Sequence, residues 1–320
     1  MPVYILRSVC ASLTVILLAG CASMGAPVPV DKLQFHRGPV SPDGDHWVMA
    51  LCYSRQSKIL TDPEGVLAAR YSEQQPYPGL PIYMELEASE RNEVRRVRLA
   101  GGDSRACAAE LDGIRLRVAG TDPAWDADLS GDRLEVRDQA RLMRLGFRVE
   151  ERTSRSASEP VWFGRMKAPA GGEHKVELSL EQSGCRDSLG IWYGLTVVMR
   201  LDGRLYKGCG RYGDLARQAL AGRYGSSLVA EAGPVRSLVL ELAPDGAAQL
   251  TEDYHQGQPA VVRTGSWRWL PSRKLMLHFL QRDDQAEQQV RLFHRRPDGT
   301  LVQEGRLSES EGPRLRLSRE

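Results

Sequence analysis

The sequence predicts a mainly β, multi-domain chain of small antiparallel barrels or sandwiches with few short helices. Period-2 alternation is the first observation. Ile82, Met84 and Leu86 alternate with Tyr83, Glu85 and Glu87, Ile114, Leu116 and Val118 alternate with Arg115 and Arg117, and Val176, Leu178 and Leu180 repeat the pattern. The second is the set of Asp-Gly pairs at Asp43-Gly44, Asp112-Gly113, Asp202-Gly203, Asp245-Gly246 and Asp298-Gly299. Tight hairpin turns favour such pairs because both central residues take positive φ. The third is composition: 31 Gly, 18 Pro and 7% aromatic residues suit a turn-rich β protein better than a helical bundle.

The chain opens with Arg7, an apolar run from Val9 to Leu18, and then Leu18-Ala19-Gly20-Cys21. That run is far short of the ~20 residues that span a bilayer as a helix. The segment resembles the signal peptide and lipobox of bacterial lipoproteins. The resemblance implies that residues 1–20 are removed and that Cys21 becomes the lipidated first residue, carrying a diacylglyceryl thioether and usually an N-acyl chain. Each buried methylene contributes about 0.8 kcal/mol, so two or three chains anchor stably where one does not. Ala22 follows the cysteine where Asp would favour the inner membrane, which places the expected anchor in the outer membrane, facing the periplasm. Residues 21–32, with Pro27-Val28-Pro29, read as a stiff extended tether.

Of the six cysteines, Cys10 falls in the signal and Cys21 takes lipid. Cys52, Cys107, Cys185 and Cys209 then remain in an oxidising compartment. Four cysteines allow three pairings, and sequence proximity favours Cys52–Cys107 with Cys185–Cys209. No C-x-x-C pair is present to suggest a zinc site. The Asp126 to Asp132 run opens like a calcium loop, but Arg137 stands where a bidentate Glu is required, so a polar turn is expected. With Arg7 the only charged residue of the signal, the mature net charge is +1, and nothing points to nucleic acid. Asp214 is the expected cap of one short helix over Leu215 to Ala221, ended by Gly222 and placed to act as a hinge.

Three domains are expected after the tether. Residues 33–113 contain Trp47 to Tyr53 and Gly79 to Leu86 as strands. They resemble the OB-type domain that accompanies NlpE-type envelope lipoproteins. Residues 114–213 carry Gly120-Thr121-Asp122-Pro123-Ala124-Trp125, then Cys185-Arg186-Asp187 and Gly208-Cys209-Gly210. They resemble a bacterial envelope-protein family with a G-x-E-P-x-W opening and a C-x-D…G-C pair, from which this chain departs at Asp122 and at Ser188-Leu189-Gly190. Cys185–Cys209 would clamp a hairpin from Gly190 to Arg204 onto that domain. In residues 222–320, Leu238 to Gly246, Leu250 to Tyr254, Gly265-Ser266-Trp267-Arg268-Trp269, Lys274 to Leu277 and Val290 to Phe293 follow in order. This order resembles the N-terminal barrel of NlpE-type lipoproteins, a family associated with copper tolerance, surface sensing and envelope stress. The family's C-x-x-C is replaced by Ser227 to Gly233, without a cysteine, so copper binding or redox signalling by that route does not carry over.

No G-x-S-x-G elbow, H-E-x-x-H motif, P-loop or dinucleotide fingerprint occurs, and the six histidines are scattered. The expected protein is therefore non-enzymatic and without a cofactor. It would be an interaction or stress-sensing lipoprotein held at the membrane by its N-terminal lipid, with an envelope protein as partner. The alternative is a small-ligand-binding or inhibitor lipoprotein, with Trp267 and Trp269 over a barrel pocket. A deep apolar cavity beneath the two indoles would favour the alternative; a filled barrel would favour the first reading.

Overall fold

In the computed structural model, residues 33–52, 54–153, 160–168, 171–228, 236–270, 272, 274–305 and 315–319 are described. The lipobox with Cys21, the tether, and residues 229–233 of the stretch replacing C-x-x-C lie outside them. Mainly β structure is what the alternation produces: one open sheet and two closed eight-stranded antiparallel barrels, with two short α-helices.

The open sheet starts with β1 (Gln34–Asp43), β2 (His46–Ala50) and β3 (Ser57–Leu60), continues through helix α1 (Val66–Gln74), and ends with β4 (Ile82–Ala88) and β5 (Val94–Ala100). Its order is β5-β4-β1-β2-β3. A parallel bridge from Thr61 to Glu93 brings the end of β3 beside the start of β5, so the sheet curls toward closure. Leu67 and Tyr71 of α1 close the core over Met49, Leu60, Met84 and Val97. Gly38 lets β1 pass against β2, since a Cβ there would lie 1.9 Å from the Ala50 carbonyl oxygen.

The first barrel contains β6 (Leu116–Thr121), β7 (Ala124–Ser130), β8 (Arg133–Asp138), β9 (Met143–Thr153), β10 (Pro160–Lys167) and β11 (Glu173–Glu181). After an excursion through β12 (Cys185–Arg186) and β13 (Trp192–Tyr193), β14 (Leu195–Leu201) and β15 (Arg204–Tyr212) complete it, and β15 pairs back onto β6. Alternate residues fill the interior, Trp125, Phe147, Trp162 and Met199 among them. The alternating partners on the outer face are charged and paired. Arg117 meets Asp128 at 2.7 Å, and Arg137 bridges Asp126 and Asp128. Of the calcium-loop-like acids, Asp126 and Asp128 thus lie on strand β7 and Asp132 in the β7–β8 turn, each paired with an arginine. Asp202-Gly203 makes the two-residue β14–β15 turn, with φ of 54° and 82°.

The β12–β13 excursion is where the structure departs from the expected hairpin. Trp192 pairs with Ala100 and Tyr193 with Leu99, so the hairpin extends the open sheet to seven strands instead of lying on its own barrel. Both expected disulfides are formed. Cys185–Cys209 ties this hairpin to β15, and Cys52–Cys107 ties the loop after β2 to a 3₁₀ turn at Ser104–Ala108. The alternation in β4 suggested one wet face, yet Tyr83 and Glu85 are as buried as Met84 and Leu86. The cause is Arg211 of β15, which reaches the Glu85 carboxylate and the Tyr83 hydroxyl.

Helix α2 (Leu215–Leu220) joins the barrels. Asp214 does not cap it with its side chain; the residue is left-handed (φ 48°) and its carboxylate accepts from the Gly113 amide at 2.7 Å. Nor is the helix an exposed hinge. Leu215 and Ala219 pack with Phe35 of β1, and Leu220 enters the core of the second barrel. That barrel consists of β16 (Gly222–Leu228), β17 (Arg236–Leu242), β18 (Ala247–Asp253), β19 (Val261–Leu270), β20 (Lys274–Arg282), β21 (Gln285–Arg295), β22 (Leu301–Gln303) and β23 (Arg316–Arg319). Pairing of β16 with β23 closes it.

Removing the cation beside a buried carboxylate leaves an uncompensated charge. Arg211→Met is expected to lower unfolding stability by about 3–5 kcal/mol. Adding Glu85→Gln should restore most of the loss, as read by urea denaturation of both variants.

Candidate functional site

Trp267 and Trp269 occupy inward positions of β19, in phase with Arg263. Trp267 is 2% exposed and its indole Nε1 donates to the Ala243 carbonyl at 2.8 Å. Leu242, Leu275, Leu277 and Phe293 share its core, Trp269 packs on the same cluster, and the Arg217 guanidinium from α2 lies 5.6 Å from the Trp267 ring centre. These are packing contacts within the barrel core.

The residues behind the envelope-family resemblance are also builders. Gly120 leaves room for Trp125, since a Cβ would sit 2.4 Å from its Nε1, which donates to the Lys207 carbonyl at 3.2 Å. Asp187 accepts from the amides of Leu189 (2.9 Å) and Ile191 (3.0 Å) and from the Tyr193 hydroxyl (3.1 Å). Burial, and then the Asp187 charge, push the Tyr193 phenol up to about 12. The carboxylate fixes the β12–β13 loop. Of the four disulfide cysteines, none keeps a thiol for chemistry.

Polar chemistry sits inside one end of the second barrel. Glu252 is in phase with the inward Ala248 and Leu250, and is 3% exposed. Arg263 donates to Glu252 at 2.8 Å and to Glu287 at 3.0 Å, while Arg291 lies 3.4 Å from the other Glu252 oxygen and over the Phe279 ring. Burial opposes the Arg263 charge, but the two glutamates outweigh it and raise its pKa; for Arg291 burial prevails, with Arg263 adding repulsion. In the first barrel the Tyr206 hydroxyl donates to Asp138, which is 1% exposed, and His174 Nδ1 lies 2.7 Å from Asp202. The two buried acids, Glu252 and Asp138, are both taken up by fixed donors, an arrangement that rigidifies the barrels. A charged residue at an inward strand phase was the available sequence signal for Glu252 and Arg263.

Two clefts lie where the open sheet meets the second barrel. The more apolar, about 430 Å³, is bounded by Phe35, Leu242 and Pro244. Four of its charged residues pair among themselves, Arg98 with Glu87 and Arg223 with Glu241. The more polar, about 350 Å³, lies between β1, β3 and the β21–β22 turn. The Arg55 amide and the Ser54 hydroxyl donate to the Pro297 carbonyl at 2.7 and 3.0 Å and hold its walls together. Burial, then the charges of Lys58 and Arg319, pull the His36 ring down to about 2. Lys58 Nζ is 3.0 Å from His36 Nε2, and burial followed by Arg319 lowers Lys58 to about 8. Arg319 itself donates to the Ala219 and Ala221 carbonyls at the end of α2. His36, Lys58 and Arg319 come from three distant stretches, so no local motif announces them.

Deleting a buried indole leaves a cavity and an orphaned carbonyl, so Trp267→Ala is expected to cost about 3–5 kcal/mol in chemical denaturation. Compared with protein-family models, with characterised proteins and with solved structures, the chain has no significant match.

Proposed function

We propose that this chain is a non-enzymatic, lipid-anchored envelope protein that works by binding a protein partner, as an NlpE-like interaction or stress-sensing lipoprotein. The observation that carries this reading is the filling of both barrels: Trp125, Phe147 and Trp162 occupy one interior, Tyr224, Trp267 and Phe293 the other. A carrier needs an internal cavity of roughly 300 Å³ or more for a small molecule. With the interiors filled, recognition falls to outer surfaces and strand edges. β3 ends the open sheet and turns Ile59 outward at 61% exposure, the kind of edge to which a partner strand can add.

Supporting features come from elsewhere in the chain. Two disulfides suit an oxidising compartment, and Leu18-Ala19-Gly20-Cys21 supplies the lipobox-like anchor for the periplasmic face of the outer membrane. The connectivity of the open sheet, with α1 between β3 and β4 and the Thr61–Glu93 bridge, supports an OB-type reading of residues 33–113. The eight-stranded second barrel supports the NlpE-like reading of residues 222–320.

Crosslinking of the lipidated protein in living cells, followed by mass spectrometry, is expected to capture one recurrent envelope protein. Recovery of none would overturn partner binding. A Cys21→Ala variant should move from the membrane to the soluble fraction, and its retention would remove the anchor.

A further inference from the structure

The polar cleft between the open sheet and the second barrel contains a cation, Lys58, that no carboxylate pairs with among the described residues. Lys58 stands on the edge strand β3 on the same side as the buried Leu60, and its Nζ donates to His36 Nε2 at 3.0 Å. His36 is 1% exposed and neutral at ordinary pH, so it accepts one of the three ammonium donors and supplies no charge. Arg319 of β23 and Arg295 of β21 also line the cleft, and its two carboxylates, Glu90 and Asp298, form no ion pair with Lys58 among the described residues. Holding a partly buried ammonium without a counter-charge is unfavourable, and a bound anion would relieve it.

The rest of the lining suits a hydrophilic body. Ser54, Ser57, Asn92 and Thr300 contribute hydroxyl and amide groups. Glu90, after β4, and Asp298, in the β21–β22 turn, also border the space, and both are exposed to solvent. Asp298 is engaged in its own turn, accepting from the Thr300 amide at 3.0 Å. The volume of about 350 Å³ falls in the range of small-molecule sites, roughly 300–1,000 Å³. The walls are fixed: Cys52–Cys107 anchors the loop that carries Ser54, and the two hydrogen bonds to Pro297 tie that loop to the barrel.

We propose that this cleft binds a small hydrophilic anion, a sugar acid or sugar phosphate, with the Lys58 ammonium as its charge partner and the neutral His36 ring positioning that ammonium. The cleft shares strand β3 with the proposed partner edge, but Lys58 lies on the face opposite to Ile59, and the crosslinking outcome does not bear on anion binding. Because Lys58 titrates at about 8, an anion that needs the charged form binds fully below that pH and is released above it. Between about pH 7 and about pH 9 the charged fraction falls roughly tenfold.

Isothermal titration of the full chain with glucuronate, glucose phosphate and neutral glucose tests this. At least one anion should bind while glucose does not, with affinity falling roughly tenfold between those two pH values. The better anion identifies the carboxylate or the phosphate as the natural group. Lys58→Met should abolish binding with an unchanged circular dichroism spectrum. Lys58→Arg should keep binding and lose the pH dependence, because a guanidinium stays charged across this range. Binding of glucose as tight as that of the anions, binding of neither anion, or wild-type affinity in folded Lys58→Met would overturn the proposal. Should Lys58→Met fail to fold, a pH dependence that persists in Lys58→Arg would overturn it equally.

Discussion

A carboxylate at 2% exposure on a strand covered on both faces is tolerable only beside a cation, and Glu85 has Arg211. Much of the molecule follows from bringing those two together. Arg211 lies two residues beyond Cys209, whose disulfide holds Cys185 at the root of the β12–β13 hairpin. The hairpin then continues the open sheet by pairing with β5. Ion pair, disulfide and strand addition act at one place, and together they dock the open sheet onto the first barrel. An ion pair of this kind adds little net stability over an apolar contact, but only one arrangement of the two modules satisfies it.

The junction with the second barrel is built differently. Here α2 is the wedge, with Leu215 and Ala219 toward Phe35 and Leu220 toward the barrel core. Arg98 extends the same junction, reaching Glu87 and Gln218 and lying over the Phe35 and Tyr212 rings. Arg319 closes it by donating to two carbonyls at the end of α2. Arginine suits these positions because its planar fork can hold several acceptors and stack on a ring at once. Where such contacts leave space, clefts remain, and their chemistry is set by which charges found partners. Arg98 and Arg223 did, whereas Lys58 met only a neutral imidazole.

Each barrel mixes a cluster of paired polar residues into an apolar interior. Glu252, Arg263 and Arg291 meet near Phe279 in one, Asp138 and Tyr206 beside Trp125 in the other. Strand tilt in a small barrel leaves just enough width for its own side chains. Large residues such as Trp267 therefore fill the lumen, and charge is accommodated where solvent or a partner charge is within reach.

Alternation and turn chemistry are local properties, and the sequence alone determined what depends on them: the β class, the Asp202-Gly203 turn and the shared face of Trp267 and Trp269, while cysteine spacing favoured the two disulfide pairs among three possible pairings. The side chain that covers a strand's second face is not a local property. Tertiary structure alone decided that Glu85 is buried, that residues 185–193 leave their barrel, and that the Asp214 carboxylate serves Gly113 instead of a helix end. It also decided the cleft at Lys58, because His36, Lys58 and Arg319 meet only after the sheet and the barrel have docked. The physical reason is range: backbone preferences act over a few residues, whereas burial and charge pairing act between whatever surfaces the fold brings together.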